Sequence, residues 1–274
     1  MQIKFFSPLW GHEHLPISDY LDLIKSAGYN GIETWMPANA TDKRVLFDYL
    51  QQHEMEIISF QHEADGSTFD EFKASYLKNL HACAEPQPIL INSHTGRDYF
   101  SLSQNMELID IATEFTEKTG ILVVHETHRG RAGYSPQVAK EMFDINKDFM
   151  ITADFSHWVC VTTSMLQNFQ ETIAEAINRA PHIHARVGFE EGPQIGDPRE
   201  PAWKYALDTF LQWWDKIVEI NAASNSDVLT ITTEFGPPPY MQLQPFTDRP
   251  LYNQFDINCY MKDLLTERYS QYIA

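Results

Sequence analysis

The sequence predicts an α/β protein, a single (β/α)8 barrel with a parallel eight-stranded core. Short β-branched or apolar runs alternate with longer amphipathic stretches along almost the whole chain, eight of each. The starts of successive runs lie mostly 25 to 33 residues apart, a length that suits one strand and one helix. Eight such units in about 250 residues match the arithmetic of a closed barrel.

Each run has the length and composition of a buried parallel strand. We expect strands at 3–7, 31–35, 56–62, 89–94, 121–126, 150–154, 182–184 and 228–234. The first helix opens at Pro16 with Ser18 and Asp19 and stops at Gly28, which are residues that favour helix starts and ends. We expect the other helices around 42–53, 70–84, 103–118, 136–147, 166–179, 202–222 and 256–269.

A doubly wound open sheet shares this alternation, but no glycine-rich phosphate loop follows the first strand. No linker rich in Pro, Gly or Ser divides the chain, so we expect one domain over residues 1–274. Two loops, 188–201 and 236–250, interrupt the repeat after the seventh and eighth strands. They fall on the face where barrel enzymes build their sites, so they are either lids or irregular surface loops.

The composition excludes several classes of partner. The 274 residues include 20 Lys and Arg against 38 Asp and Glu, a formal net charge of −18 that repels nucleic acids and anionic lipids. Three isolated cysteines, no signal-peptide pattern and no apolar run near ~18 residues predict a soluble cytoplasmic protein. We expect a small-molecule ligand and no membrane contact, and the residues leave a homo-oligomer open.

Metal-type ligands are concentrated at the predicted strand ends, where seven of the 11 histidines lie. The equivalent ends of the fifth to eighth strands carry Glu126, Asp154, His184 and Glu234. Carboxylates there would each cost several kcal/mol to bury unpaired, and a divalent cation supplies the missing positive charge. Three oxygen donors and one imidazole suit Mn²⁺, Mg²⁺, Co²⁺ or Zn²⁺.

Four motifs stand at these strand ends: Glu126, Asp154-x-x-His157, His182-x-His184 and Glu234. Together they resemble the xylose isomerase-like TIM-barrel superfamily, over roughly residues 3–240. That superfamily holds sugar and sugar phosphate isomerases and epimerases, and is related to the metal-dependent abasic-site (AP) endonucleases of family 2. The resemblance implies metal ligands at Glu126, Asp154, His184 and Glu234, with His157 touching substrate. It also implies that Glu126 and Glu234 act as acid and base.

The chemistry agrees with this resemblance. Moving a carbonyl along a sugar, or inverting the adjacent carbon, requires removal of a weakly acidic proton, and a cation stabilises the resulting metal-bound enediolate. Glu126 and Glu234 stand on strands separated by two others, which allows them to work from opposite sides of a substrate. We therefore expect a metal-dependent sugar isomerase or epimerase. Dehydration of a keto-polyol by the same proton abstraction is the runner-up, and a barrel that binds a ligand without turnover is a further alternative.

The segments around His62 and His94 resemble the endonuclease branch, whose matching histidines hold additional zinc ions. They are candidates for a second metal or for contacts with sugar hydroxyls. Arg199 in Asp197-Pro198-Arg199 stands where that branch has a histidine ligand. Together with the net charge of −18, this makes an endonuclease IV-like phosphodiesterase the less favoured alternative.

Four other residues are candidates for substrate binding. Arg186 lies two residues past His184 with the same inward parity, where many superfamily members have an acidic residue instead. His128 lies in a cationic turn directly after the fifth strand. Glu33 ends the second strand and Trp10 follows the first, so they could contact a hydroxyl and a sugar face. Structural ion pairs or packing are the alternatives for each.

Overall fold

A computed structural model describes residues 1–224 and 226–273. Eight parallel strands close into one barrel in the order β1 to β8. The strands are β1 Gln2–Pro8, β2 Gly31–Thr34, β3 Glu56–Gln61, β4 Ile91–Ser93, β5 Val123–Glu126, β6 Ile151–Ala153, β7 His182–His184 and β8 Val228–Thr232. Pairing of β1 with β8 closes the ring, which confirms the barrel over the doubly wound sheet.

Helices cover the outside of the barrel and bury the apolar outer faces of the strands. They are α1 Ile17–Ser26, α2 Ala40–Gln52, α3 Phe69–Ala84, α4 Leu102–Thr119, α5 Pro136–Ile145, α6 Phe155–Thr162, α7 Gln170–Ile177, α8 Lys204–Ala223 and α9 Gln254–Arg268. Local signals fix several starts: Thr68 before α3 and Ser101 before α4 each form a reciprocal capping box. Among the described residues, no helix has the length and apolar character needed to cross a membrane.

The sixth strand and its continuation differ from the expectation. The strand stops at Ala153, and α6 begins at Phe155, in a stretch where the sequence predicts no helix. The cause is Asp154, whose side chain accepts a hydrogen bond from the backbone N–H of Ser156 and so caps the helix. The helix predicted at 166–179 is correspondingly shorter and begins at Gln170.

The register of the barrel carries the ends of β5 to β8 to one place. Glu126 pairs with Thr152 of β6, and Asp154 stands two residues after Thr152. In the same way His184 pairs with Thr232 of β8, and Glu234 stands two residues after Thr232. An even offset keeps a side chain on the same face of a strand, so all four side chains stay on the inner side. The tilt of the strands supplies the stagger.

The two irregular loops lie next to each other above the barrel. Gln194 in the first loop donates to the carbonyl of Gly236 in the second and accepts from its backbone N–H. Gly236 is required here because a Cβ at this position would lie 2.1 Å from the indole of Trp10. The pair of loops therefore holds Trp10 against the mouth of the barrel.

Close contact between β2 and its neighbours leaves no space for a side chain at Gly31. A Cβ on Gly31 would lie 2.0 Å from the backbone oxygen of Glu56 and 2.6 Å from the ring of Phe6. We expect Gly31→Ala to lower the free energy of unfolding by at least about 1–3 kcal/mol, because backbone cannot yield as a side chain can. Urea denaturation measures the change. Gly133→Ala, where a Cβ has nothing within 4 Å, is the matched control, and equal effects of the two substitutions would contradict the explanation.

Candidate functional site

Four buried side chains from consecutive strands converge at the mouth of the barrel. Glu126 ends β5, Asp154 follows β6, His184 ends β7 and Glu234 follows β8. One potential ligand atom from each lies within 4.8 Å of the others. The structure thus brings together the four residues that the sequence predicts as metal ligands.

Glu33 fixes the orientation of the His184 ring. His184 Nε2 lies 3.1 and 3.2 Å from the two carboxylate oxygens of Glu33, which can only accept, so Nε2 carries the proton and donates it. The other nitrogen, Nδ1, lies 2.9 Å from Glu234 and 3.7 Å from Glu126. Burial alone would lower the pKa of His184, but Glu234, Glu33 and Glu126 outweigh it and raise this pKa well above its ordinary value, so a metal ion would replace a proton at Nδ1. A histidine that donates one N–H to a carboxylate and aims the other nitrogen inward is the usual arrangement of a metal ligand.

Two polar atoms of this four-residue cluster have no hydrogen-bond partner among the residues that the structure describes. Within the described part of the chain, His184 Nδ1 and Glu234 Oε2 are both buried without a hydrogen-bond partner. Burial raises the pKa of Asp154, an effect that the neighbouring Arg186 opposes and that Glu234 and Glu126 reinforce. Three carboxylates and an imidazole nitrogen without a hydrogen-bond partner in the described ranges are a donor set that fits a divalent cation.

Arg186 is buried directly beside this cluster. Its guanidinium donates to Asp154, lies 3.3 Å from Glu234 and donates to the Ser156 hydroxyl at 3.1 Å. One guanidinium balances one of the three carboxylates, and the remaining negative charge is what raises the pKa of His184 and what a bound cation would neutralise. The predicted inward parity of Arg186 agrees with this position.

His157 is enclosed behind Arg186. Its Nε2 accepts from the guanidinium at 2.7 Å, and its ring centre is 3.9 Å from that of His128. Burial, together with the positive charge of these neighbours, lowers the pKa of His157, so the ring is neutral. His157 is fully buried and does not line the cavity described below, and its predicted contact with substrate stays a prediction.

A second cluster of possible metal ligands adjoins the first. It contains His94 but not His62, the histidine that the sequence paired with it. His94, Glu126 and His128 offer ligand atoms within 4.8 Å of one another, whereas the ring of His62 stacks on Phe60. His94 Nε2 lies 3.0 Å from Glu126 and donates to that carboxylate, so a second cation would have to replace this proton. A second metal therefore stays a prediction.

The Asp197 carboxylate is occupied by Arg199. The guanidinium donates to both Asp197 oxygens and also to Asp256. This pairing leaves the Asp197 oxygens engaged.

Asn92 is a site residue that the sequence reasoning missed. Its amide donates to Glu33 at 2.8 Å and to Glu126 at 3.3 Å, and its oxygen accepts from the Thr152 hydroxyl at 2.7 Å. Burial would raise the pKa of Glu33, but His184 and His182 outweigh it and hold this pKa below its ordinary value. The available signal was parity, because Asn92 precedes His94 by two residues and so shares its face.

A cavity of about 400 Å³ opens above these residues. It is lined by aromatic rings, carboxylates and a few basic side chains: Pro8, Trp10, Glu13, Glu33, Trp35, Phe60, His62, His94, Glu126, His128, Arg186, Glu234 and Tyr240. Eight of the eleven predicted site residues line it, and Asp154, His184 and His157 lie behind them.

Aromatic side chains form one part of the cavity lining, the aromatic wall: Trp10, Trp35, Phe60 and Tyr240. Tyr240 is, after Asn92, the second site residue that the sequence did not reveal. Tyr240, in the second loop, packs edge-on against Trp10 with 5.0 Å between ring centres. The guanidinium of Arg186 lies 4.9 Å from the Tyr240 ring centre, within cation–π range. The sequence placed the 236–250 loop at the active-site face of the barrel, but nothing in the loop's sequence distinguishes Tyr240 as a site residue.

No family model matches the chain, and no curated protein matches it either. Several solved structures are similar to this chain. A D-tagatose 3-epimerase-like protein has a TM-score of 0.66 and 16% identity, with 98% of each chain covered. The probable 3-DHS dehydratase AsbF of Bacillus anthracis has a TM-score of 0.62 and 17% identity, with 97% of this chain and 99% of that chain covered.

A third similar structure is a xylose isomerase-like TIM-barrel protein from Mycobacterium smegmatis in complex with magnesium, with a TM-score of 0.63 and 10% identity. The match covers 94% of this chain and 89% of that chain. At these identities the comparisons establish the fold. They confirm the (β/α)8 barrel that the sequence predicted, and the similar structures include a xylose isomerase-like TIM-barrel protein.

The contact between Glu33 and His184 generates a prediction about metal affinity. We expect Glu33→Gln to weaken binding of Mn²⁺ by about 10–100-fold, because the amide no longer fixes the proton on His184 Nε2. Isothermal titration calorimetry measures the affinity. Glu13→Gln removes the same charge from the rim of the cavity, where Glu13 accepts a hydrogen bond from the backbone N–H of Gly11, and is the matched control. Equal affinities for the two variants would show that the charge, and not the contact, matters.

Proposed function

We propose that the protein is a divalent-metal-dependent isomerase or epimerase of a sugar or sugar derivative. One observation carries the proposal: Glu126, Asp154, His184 and Glu234 converge on one point beneath a cavity. Two of the four, Glu126 and Glu234, also line the cavity, where they can reach a substrate. The site thus combines a cation-binding donor set with two accessible carboxylates.

The residues present fit a metal ion. Glu126, Asp154, His184 and Glu234 would hold it, and this mixed oxygen and nitrogen set suits Mn²⁺, Mg²⁺, Co²⁺ or Zn²⁺. The magnesium complex of the similar Mycobacterium smegmatis protein supports this assignment. A bound cation supplies Lewis acidity, which polarises a carbonyl and makes the neighbouring C–H more acidic.

Glu126 and Glu234 are the candidates for acid and base. Burial raises the pKa of Glu126, but His94 and His184 outweigh it and hold the carboxylate ionised. His94 donates to Glu126 and can pass it a proton, whereas Glu234 Oε2 has no hydrogen-bond partner among the described residues. Two carboxylates in such different surroundings suit the removal of a proton by one and its return by the other.

The wall opposite the carboxylates suits a sugar. Trp10, Trp35, Phe60 and Tyr240 present aromatic surface to the cavity, and C–H faces of sugars pack against such rings. The structural similarity to a D-tagatose 3-epimerase-like protein supports the same class of substrate.

A dehydratase is the second candidate, because elimination of water from a keto-polyol begins with the same proton abstraction. The similar protein from Bacillus anthracis is described as a probable 3-DHS dehydratase. Mass spectrometry of the product distinguishes the two reactions, since isomerisation and epimerisation conserve mass and dehydration loses one water. Phosphodiester cleavage has less support, because Arg199 engages Asp197 and the chain carries a net charge of −18.

The acid and base roles predict the behaviour of two variants. We expect Glu126→Gln and Glu234→Gln each to slow exchange of the carbon-bound proton of a ketose in deuterated water by about 10²–10⁴-fold. Proton NMR of a panel of free ketoses with Mg²⁺ measures the exchange. Calorimetry on the same variants separates loss of the acid or base from loss of metal. Glu117→Gln on the exposed face of α4 is the control, and undiminished exchange in either site variant would contradict its role.

Metal removal tests the cofactor independently. We expect dialysis against a chelator to abolish exchange, and Mn²⁺, Mg²⁺, Co²⁺ or Zn²⁺ to restore it. The same additions should raise the melting temperature, because a ligand that binds only the folded state stabilises it. Exchange that persists after complete metal removal, as checked by elemental analysis, would overturn metal dependence.

A further inference from the structure

A second cavity adjoins the one above the candidate metal ligands. It has a volume of about 340 Å³ and lies between the loop after β1 and the loop after β2. Glu13 and Trp35 belong to the lining of both cavities. The two cavities are therefore neighbours, with these two side chains at their common border.

The walls of the second cavity combine apolar and polar surface in similar amounts. Leu9, Leu15, Ile17, Pro37 and Val45 contribute the apolar part, together with the indole of Trp35. Such a mixed surface suits a sugar ring, which presents both a C–H face and hydroxyl groups.

The charged groups at the second cavity are acidic. Glu13 and Asp42 line it, and none of its lining residues is Lys, Arg or His. The N-terminus of α2 also reaches it, but Asn39 already caps this end by accepting from the backbone N–H of Asp42. Asp42 adds negative charge in the first turn of the helix, which opposes binding of an anion there.

The first cavity offers no free guanidinium or ammonium either. Among the described residues that line it, Arg186 is the single Arg or Lys, and it is already paired with Asp154 and Glu234. Four carboxylates line the same cavity: Glu13, Glu33, Glu126 and Glu234. Sites for a phosphate group present unpaired Arg, Lys or helix N-terminal amides, and neither cavity does so.

We propose that the second cavity receives an uncharged ring substituent of the substrate, so that the site takes glycosylated ketoses and rejects sugar phosphates. The proposal rests on the proposed function for the identity of the reacting sugar. It adds the substrate class and a subsite: Trp35 packs against the ring of the substituent, and Glu13 repels an anionic one.

Matched ligands test the subsite. D-fructose, lactulose, isomaltulose and D-fructose 6-phosphate share a reducing ketose that is free, glycosylated at either of two hydroxyls, or phosphorylated. We expect calorimetry with Mg²⁺ to show at least one disaccharide binding about tenfold tighter than D-fructose, and the phosphate about tenfold weaker. Phosphate binding as tight as that of D-fructose, or no binding of the three uncharged sugars, would overturn the proposal.

Two variants locate the effect. Ala38→Trp fills the second cavity, and the preference for the disaccharide over D-fructose should disappear, whereas Ala74→Trp on the exposed face of α3 should retain it. Glu13→Lys should strengthen binding of D-fructose 6-phosphate by about tenfold. A disaccharide preference that survives Ala38→Trp would place the substituent elsewhere and overturn the subsite.

Measuring proton exchange on the same ligands separates this proposal from the proposed function. Disaccharide binding that depends on position 38, without exchange on any ketose, would support the subsite and contradict the isomerase or epimerase. Exchange on D-fructose 6-phosphate but on none of the uncharged sugars would support the reaction and overturn the substrate class.

Discussion

The buried negative charge at the mouth of the barrel is the constraint on which the rest of the site depends. Glu126, Asp154 and Glu234 meet with almost no exposure to water, and Glu33 lies directly behind them. Desolvation of each charge costs several kcal/mol, and like charges at this spacing repel one another. One guanidinium, from Arg186, cannot offset this cost alone, and the carboxylates raise the pKa of His184 so that its ring adds positive charge. The same constraint gives the His184 ring its orientation, because the Glu33 carboxylate accepts a hydrogen bond from its Nε2–H.

The barrel produces this arrangement with little help from loops. The closed parallel sheet places the carboxyl ends of all strands on one rim, and even offsets in the register of β5 to β8 keep the ligands on the inner face. Asp154 illustrates how tightly position and local structure are linked. The residue that supplies a carboxylate also caps the helix after β6, so its main chain is fixed on both sides by regular structure. Sites built on strand ends in this way hold their side chains more precisely than sites built on loops.

The sequence predicted what the periodicity of a barrel can reveal. Strand ends that share a parity must converge, so Glu126, His184 and Glu234 could be placed together without a structure. Contacts between elements that are distant in sequence were out of reach. Whether His62 or His128 would lie beside His94 depends on side-chain rotation above the rim, and here His62 turned to the aromatic wall while His128 took that place. A turn after a strand carries no periodicity from which such a rotation can be read.

The two sides of the cavity divide the work between them. Carboxylates and histidines from β4 to β8 face aromatic rings carried mainly by the first three strands and their loops, with Trp10 and Trp35 as the largest. The carboxylates can remove a carbon-bound proton only if the ligand is held with that C–H bond toward Glu126 and Glu234. The aromatic side accepts any C–H face, so it limits the tilt of a ring but not which carbon reacts. Discrimination between isomerisation, epimerisation and dehydration therefore falls to the polar groups, and above all to where the two carboxylates reach along the sugar.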